Sequence, residues 1–297
     1  MPYKIRCIGA PMDLGQDLRG VDVGPSALRY AGLMQRLQQL GHQVEDIGNV
    51  EVAVRTVLDP PMHGTMFAGA IRAVCLLVYA AVRQAVADGC VPLVMGGDHS
   101  IAIGAIGGAT HEEPAGVLWI DAHADFNTPD TSPSGNIHGM PLAVLTGRGL
   151  QELVDIGRPG ATLAPEDVVI IALRQIDPAE RLRLVESGMS IFTMREIDEQ
   201  GIAAVTRMAL KRLGHHRRIH VSFDVDSIDP MFAPGVGTPV SGGLSIREAH
   251  LLMEIIAEDG RISSVDVVEI NPILDNKNVT ALLAAELLAS LLGKTIV

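Results

Sequence analysis

The residues of this chain best suited to chemistry are Asp121, His123 and Asp125, which alternate with Ala122 and Ala124 directly after the strand-forming run Val117 to Ile120. In extended backbone, side chains at i, i+2 and i+4 project the same way. Two carboxylates and an imidazole therefore leave one edge of a strand end with only methyl groups between them, which is the pattern of a metal-ligand set. A strand leaving the core also commonly ends in polar residues that cap a helix or meet solvent, and this stretch alone does not separate the two readings. Three others tilt the balance. Val91 to Met95 stops at Gly96, Gly97, Asp98, His99 and Ser100; HVSF runs into Asp224 and Asp226, again alternating; and VDVV ends in Glu269, before Asn271 and Pro272.

Gathering so many ionisable groups at the ends of apolar strands is costly unless a cation compensates them. Six candidate ligands emerge: His99, Asp121, His123, Asp125, Asp224 and Asp226. Four carboxylates, two imidazoles and no thiolate suit manganese better than structural zinc. The carboxylate charge matches two divalent ions, so the expectation is two Mn2+ per subunit.

The elements that must position these groups alternate between strand-like and helix-like runs. Strands are expected at 5–8, 91–95, 117–120, 168–173, 190–193, 219–223 and 265–270, and helices at 25–40, 68–87, 178–187, 201–213, 246–258 and 278–292. This alternation predicts an α/β fold with a central, mainly parallel sheet and helices on both faces. In such sheets ligands sit outside the carboxyl ends of the strands, where the acids and histidines fall. No linker or low-complexity tract divides the chain, which reads as a single domain over 1–297.

A formal net charge of -12 disfavours a nucleic-acid or anionic-membrane partner and favours a cationic small molecule. Cys7, Cys75 and Cys90 lack zinc or disulfide spacing and read as buried free thiols in a reducing compartment. The start, MPYKIRCIGAP, lacks a signal-peptide core, and the apolar run Ala73 to Val82 is too short for a bilayer. The expectation is a cytoplasmic protein. His42, His63, His111, His215, His216, His220 and His250 have no partner at ligand spacing and read as structural or solvated, Met12 as core, and Asp229 as a turn residue.

GGDHS at 96–100, DAHADFNTPDTSPSGNIHG at 121–139, SFDVDSIDP at 222–230 and VEINP at 268–272 resemble the four signature blocks of the ureohydrolases. The long second block is similar to that of bacterial arginases and unlike that of agmatinases. The resemblance implies one manganese held by His99 and Asp125 and another by His123 and Asp226, with Asp121 and Asp224 bridging. It implies that Asn127, Ser134 and Asn136 meet the α-carboxylate end of L-arginine, that Asp177 receives the α-amino group with Glu180 nearby, that Thr238 lines the pocket and that Glu269 faces the guanidinium. His123 falls in the substrate-binding set as well. It also suggests a homo-oligomer, a trimer or hexamer. Gln175 and the Ser132-Pro133 pair depart from some relatives and concern fine contacts.

The expected chemistry is attack of hydroxide on the guanidinium carbon, releasing L-ornithine and urea. His138 is the expected proton donor to the leaving amine and Asp125 the first acceptor from the attacking water, with Glu269 supplying charge. The alternative for His138 is a loop histidine bonded to backbone. Rival functions are an agmatinase or guanidinobutyrase and a non-catalytic protein of the same fold.

Overall fold

Apolar runs without polar alternation, such as GVLWI and VVIIAL, suit strands covered on both faces, and both are wholly buried. In the computed structural model, which describes residues 2–55 and 64–295, they lie inside one sheet. Its strands are β1 (Lys4–Ala10), β2 (Gln43–Asn49), β3 (Val91–Gly96), β4 (Gly116–Ile120), β5 (Val168–Leu173), β6 (Ser190–Thr193), β7 (Ile219–Asp224) and β8 (Ile262–Val268). The order is β2-β1-β3-β8-β7-β4-β5-β6, and every neighbouring pair is parallel. All carboxyl ends therefore lie along one edge.

The helices are α1 (Gly24–Tyr30), α2 (Leu33–Gln39), α3 (Ala68–Ala87), α4 (Ala102–Ala109), α5 (Pro141–Leu145), α6 (Gln151–Val154), α7 (Pro178–Ser187), α8 (Met194–Gln200), α9 (Ile202–Arg212), α10 (Ile246–Asp259) and α11 (Val279–Leu291). Alternate strand residues divide the core. Cys7, Met95, Leu118, Val221 and Val267 pack with α1, α2 and α8 to α11, while Ile8, Val94, Trp119 and Ile170 pack with α3 to α7. The expected α/β architecture, a parallel sheet between two helical layers, is the one observed.

Several boundaries differ from the sequence reading. The helix expected over 25–40 is two, because Ala31 and a left-handed Gly32 (φ 75°) interrupt it. β2 was not anticipated: its sequence, QVEDIGN, carries the charges of an exposed edge strand rather than an apolar run. β8 begins at Ile262 and stops at Val268, so Glu269 and Ile270 lie beyond it. Cys90 is only half-buried, in the turn before β3, whereas Cys7 and Cys75 are buried; all three are free. Helix α3 extends past the apolar run Ala73 to Val82 and, at 20 residues, is the one described helix long and apolar enough to cross a membrane. Its Ile71, Val74, Cys75, Val78 and Val82 face the core, and it packs along α4, β1 and β3. It serves as a core helix.

Candidate metal centre and substrate cleft

Four neighbouring strands at the middle of the sheet, β3, β8, β7 and β4, deliver the groups singled out in the sequence. His99 opens a short 3-10 turn after β3; Asp121, His123 and Asp125 follow β4; Asp224 ends β7 with Asp226 in the next turn; Glu269 follows β8. Close packing of the loops sets their depth. A Cβ on Gly97 would stand 1.8 Å from the Met12 carbonyl oxygen, so glycine is required where the β1 loop crosses the end of β3.

His99 Nδ1 lies 3.2 Å from Asp121 Oδ2, 3.0 Å from Asp125 Oδ2 and 3.1 Å from Asp224 Oδ2. This nitrogen is fully buried yet makes no hydrogen bond. Beside it, His123 Nδ1 stands 2.9 Å from Asp226 Oδ2 and 3.6 Å from Asp121 Oδ1. Asp121 thus offers one oxygen to each imidazole, and two groups that could each hold a cation share it. A buried ring nitrogen without a hydrogen bond, grouped with three carboxylate oxygens, is a donor set suited to a divalent cation. The residues present fit a pair of divalent ions.

The ionisation equilibria point the same way. Burial alone would push both histidines down, but the surrounding carboxylates hold His99 well above its usual range and His123 at about 12. Burial and the charge of Asp121 lift Asp125 to about 6. Burial, Asp226 and Asp121 together hold Asp224 well above the carboxylate range. Asp121 goes the other way, since His123 and His99 outweigh its burial. The backbone is strained here too: Asp125 and Glu269 adopt φ of 49° and 65°, a left-handed conformation uncommon outside glycine and concentrated at functional sites.

A second layer fixes these ligands. The Trp119 indole donates to Asp121 Oδ2 at 2.9 Å and stacks on the His99 ring, 4.1 Å between centroids. His99 Nε2 lies 2.9 Å from Ser222 Oγ, which donates to Asp266 Oδ1 at 2.7 Å. Asp266 Oδ2 in turn meets His220 Nε2 at 2.7 Å, and His220 Nδ1 meets Ser264 Oγ. Every member of this chain is at most 1% exposed. Arg174 binds the backbone carbonyls of Asp226, Ser227 and Val240, tying down the loop beyond β7. None of Trp119, Ser222, Asp266, Gln16 or Arg174 was picked out from the sequence, whereas His220, read there as structural or solvated, is a buried structural member of this chain. The period-two signal was present, since His220, Ser222 and Asp224 share one face of β7, as Ser264 and Asp266 share one face of β8.

Above the carboxylates opens a cleft of about 220 Å³. His123, Asp125, Asn127, Ser134, Asn136, His138, Asp177, Glu180, Asp224 and Thr238 line it, as do Ser132 and Gln175. Asn127 Nδ2 donates to Asp177 Oδ2, while the buried Oδ1 atoms of Asn127 and Asn136 have no hydrogen-bond partner. Asp177 and Glu180 form the capping box of α7, and Glu180 also accepts from the Phe126 amide. Thr238 Oγ1 donates to Asp226 Oδ2. His138 Nδ1 lies 3.0 Å from Glu269 Oε1, which also accepts from the His99 amide, while Gln16 donates to Oε2. Glu269, at 1% exposure, stands behind His138 rather than among the cleft-lining residues.

The remaining histidines sit away from this cluster. His42 meets Tyr3 and Leu292, His111 meets Tyr79, and His250 meets Ser290. The fold gives His215 and His216 a carboxylate partner, Asp167, that sequence spacing did not reveal. His63 lies outside the described residues. Asp98 accepts from the Gly15 and Ser100 amides, and Asp229 from the amides of Met231, Gly242 and Gly243, both as loop-forming groups.

A family model described as "Arginase family" matches residues 3–293. The chain belongs to the arginase family. The arginase of Bacillus subtilis (strain 168) is 47% identical to it over 298 residues, covering 99% of each chain. The solved structure of the Bacillus caldovelox arginase superposes with a TM-score of 0.96 at 46% identity, over 99% of this chain and 100% of that one. The arginase of Entamoeba histolytica, solved with L-ornithine, gives a TM-score of 0.91 at 31% identity, over 99% and 100% of the two chains. Membership in the arginase family agrees with a hydrolase whose site lies at the carboxyl edge of the sheet.

Proposed function

We infer that the chain hydrolyses L-arginine to L-ornithine and urea. The observation that carries this reading is the buried His99 Nδ1, unbonded among the oxygens of Asp121, Asp125 and Asp224, at the floor of the cleft. His99, Asp121, His123, Asp125, Asp224 and Asp226 would hold two divalent ions, and their oxygen-rich donor set favours manganese. When bound, such a pair makes water acidic enough to attack at neutral pH and offsets developing negative charge.

The chain's own residues supply the rest. Asn127, Ser134 and Asn136 receive the α-carboxylate end of arginine, directly or through water, and Asp177 its α-amino group. Asp177 and Asn127 are tied to each other, so the two recognition groups are set in register before the ligand arrives. The acidic wall of Asp125, Asp224 and Glu180 draws in the guanidinium. Asp125 stands where it can take a proton from the attacking water. His138 then gives a proton to the departing amine; burial would lower its pKa, but Glu269 lifts it to about 9, which favours the charged ring. Glu269 orients His138 and, from behind that ring, adds negative charge at the guanidinium end of the cleft.

The unpaired cysteines support a cytoplasmic location, exposed apolar side chains such as Tyr30, Met231 and Ile273 are compatible with a homo-oligomer, and the likeness to the family suggests a trimer or hexamer. The deciding experiment measures urea release from arginine and from agmatine by manganese-loaded and chelated protein. Chelation should abolish release, and arginine should be strongly preferred. Equal or better turnover of agmatine would move the substrate to a decarboxylated guanidine, and a metallated protein that releases no urea from either would refute the hydrolase reading.

A further inference from the structure

We propose that Asp167, His215 and His216 form a separate transition-metal site at the amino-terminal edge of the sheet, opposite the cleft, taking an ion of the zinc or nickel type. Asp167 closes the 3-10 turn Pro165–Asp167 that leads into β5, and the two histidines lie in the loop from α9 into β7. β5 and β7 are not neighbours, because β4 runs between them. The three side chains therefore meet across the start of β4. Room for that crossing comes from Gly116: a Cβ there would stand 3.1 Å from the His216 ring. Arg261 holds the His216 carbonyl, fixing the loop from below.

Both imidazoles aim the same kind of atom at one point. His216 Nε2 and His215 Nε2 stand 2.7 Å and 3.1 Å from Asp167 Oδ1, the rings lie 4.1 Å apart, and all three ligand atoms fall within 4.8 Å of one another. Tetrahedral coordination at about 2.0–2.1 Å would separate its ligand atoms by roughly 3.3 Å. An ion entering this triangle needs the His216–Asp167 pair to open by about 0.6 Å and the His215–Asp167 pair by about 0.2 Å, which side chains exposed by 54% at His215 and 20% at Asp167 can make. Two nitrogens and one oxygen form a softer donor set than the carboxylate-rich centre, so the two sites should differ in preference: manganese in the cleft, zinc or nickel here. The exposed side of the triangle leaves a fourth position for water. The bound ion would clip the approaches to β5 and β7 together.

The test uses full-length, manganese-loaded protein equilibrated with Zn2+ and freed of loosely held metal, followed by metal counting by mass spectrometry. The wild type should retain one more zinc per chain than His215→Ala, Asp167→Asn or the His215→Ala/His216→Ala double variant, with manganese content and urea release the same in all. Added zinc should also raise the Tm of the wild type more than that of the variants. His215→Ala, an exposed change, guards against loss by misfolding. Equal zinc content and equal thermal response would overturn the proposal and leave the three residues as a hydrogen-bonded clip.

Discussion

Replacing Ser222 with alanine removes one oxygen from the middle of the sheet and tests whether the buried chain behind His99 governs cation binding. The Ser222 hydroxyl accepts from His99 Nε2 at 2.9 Å and donates to Asp266 Oδ1 at 2.7 Å, in surroundings without solvent. With a cation at Nδ1 the imidazole proton must sit on Nε2, so the direction of both bonds is fixed. Ser222→Ala strands that N–H, at a cost of about 1–3 kcal/mol, and removes a hydrogen bond to a carboxylate worth roughly 1.5–3 kcal/mol. Asp266 keeps His220. A loss of about 2.5–6 kcal/mol is therefore expected in the metal-free protein, which a wild type in the middle of the usual range of about 5–15 kcal/mol survives. Loss of an outer-layer partner of a metal ligand typically weakens binding about 10–100-fold. Because Ser222 supports His99 and not His123, one of two bound ions should be released first. Denaturant unfolding of metal-free protein, paired with manganese titration, reads both effects. A variant within about 0.5 kcal/mol of wild type that binds both ions equally well would refute the reasoning.

Other expectations follow from the same geometry. His138→Asn should keep its full metal content and lose about 10²–10⁴ in kcat with KM little changed; metal counting beside steady-state kinetics checks this, and an unimpaired kcat would remove His138 from the proton path. Burial lifts the Glu180 carboxyl to about 7 from an ordinary 4.5. The folded state therefore holds that proton more tightly than the unfolded chain, and this contribution to stability, full below about 4.5, is lost as pH rises through about 7. Glu180→Gln should flatten that decline, measured as denaturant midpoints at about pH 5 and about pH 8; parallel profiles would contradict it. Burial pushes the Cys7 thiol to about 12 and the Cys75 thiol up as well, so in native protein a thiol reagent should label only half-buried Cys90, with all three reacting after unfolding.

Much of this architecture was legible because buried parallel strands must be apolar and then break abruptly. GVLWI ending in Asp121, and VPLVMG ending in His99, announce both a strand and the place where chemistry starts. The six proposed ligands were readable one strand at a time. That their three strands, β3, β7 and β4, lie with β8 as neighbours at the middle of the sheet was not, since strand order depends on crossovers that leave no local trace. β2 escaped notice because an edge strand replaces apolar pattern with charge, and the break at Gly32 because a continuous apolar periodicity hides a single left-handed residue. The chain from His99 to His220 was passed over for a different reason. A histidine inside a strand looks like an isolated oddity until the neighbouring strand supplies Asp266, and that pairing is a long-range fact of register, His220 beside Ser264 and Ser222 beside Asp266.

The position of the carboxylates at the centre of the sheet has a kinetic consequence. Fraying begins at margins, here β2 and β6, each hydrogen-bonded on one side only. Cations held by loops at a margin could escape whenever that margin opened. Cations held where we propose, between β3 and β4, would be guarded by strands hydrogen-bonded on both sides, so dissociation would have to wait either for the ligands to let go one at a time within an intact scaffold or for the scaffold itself to come apart.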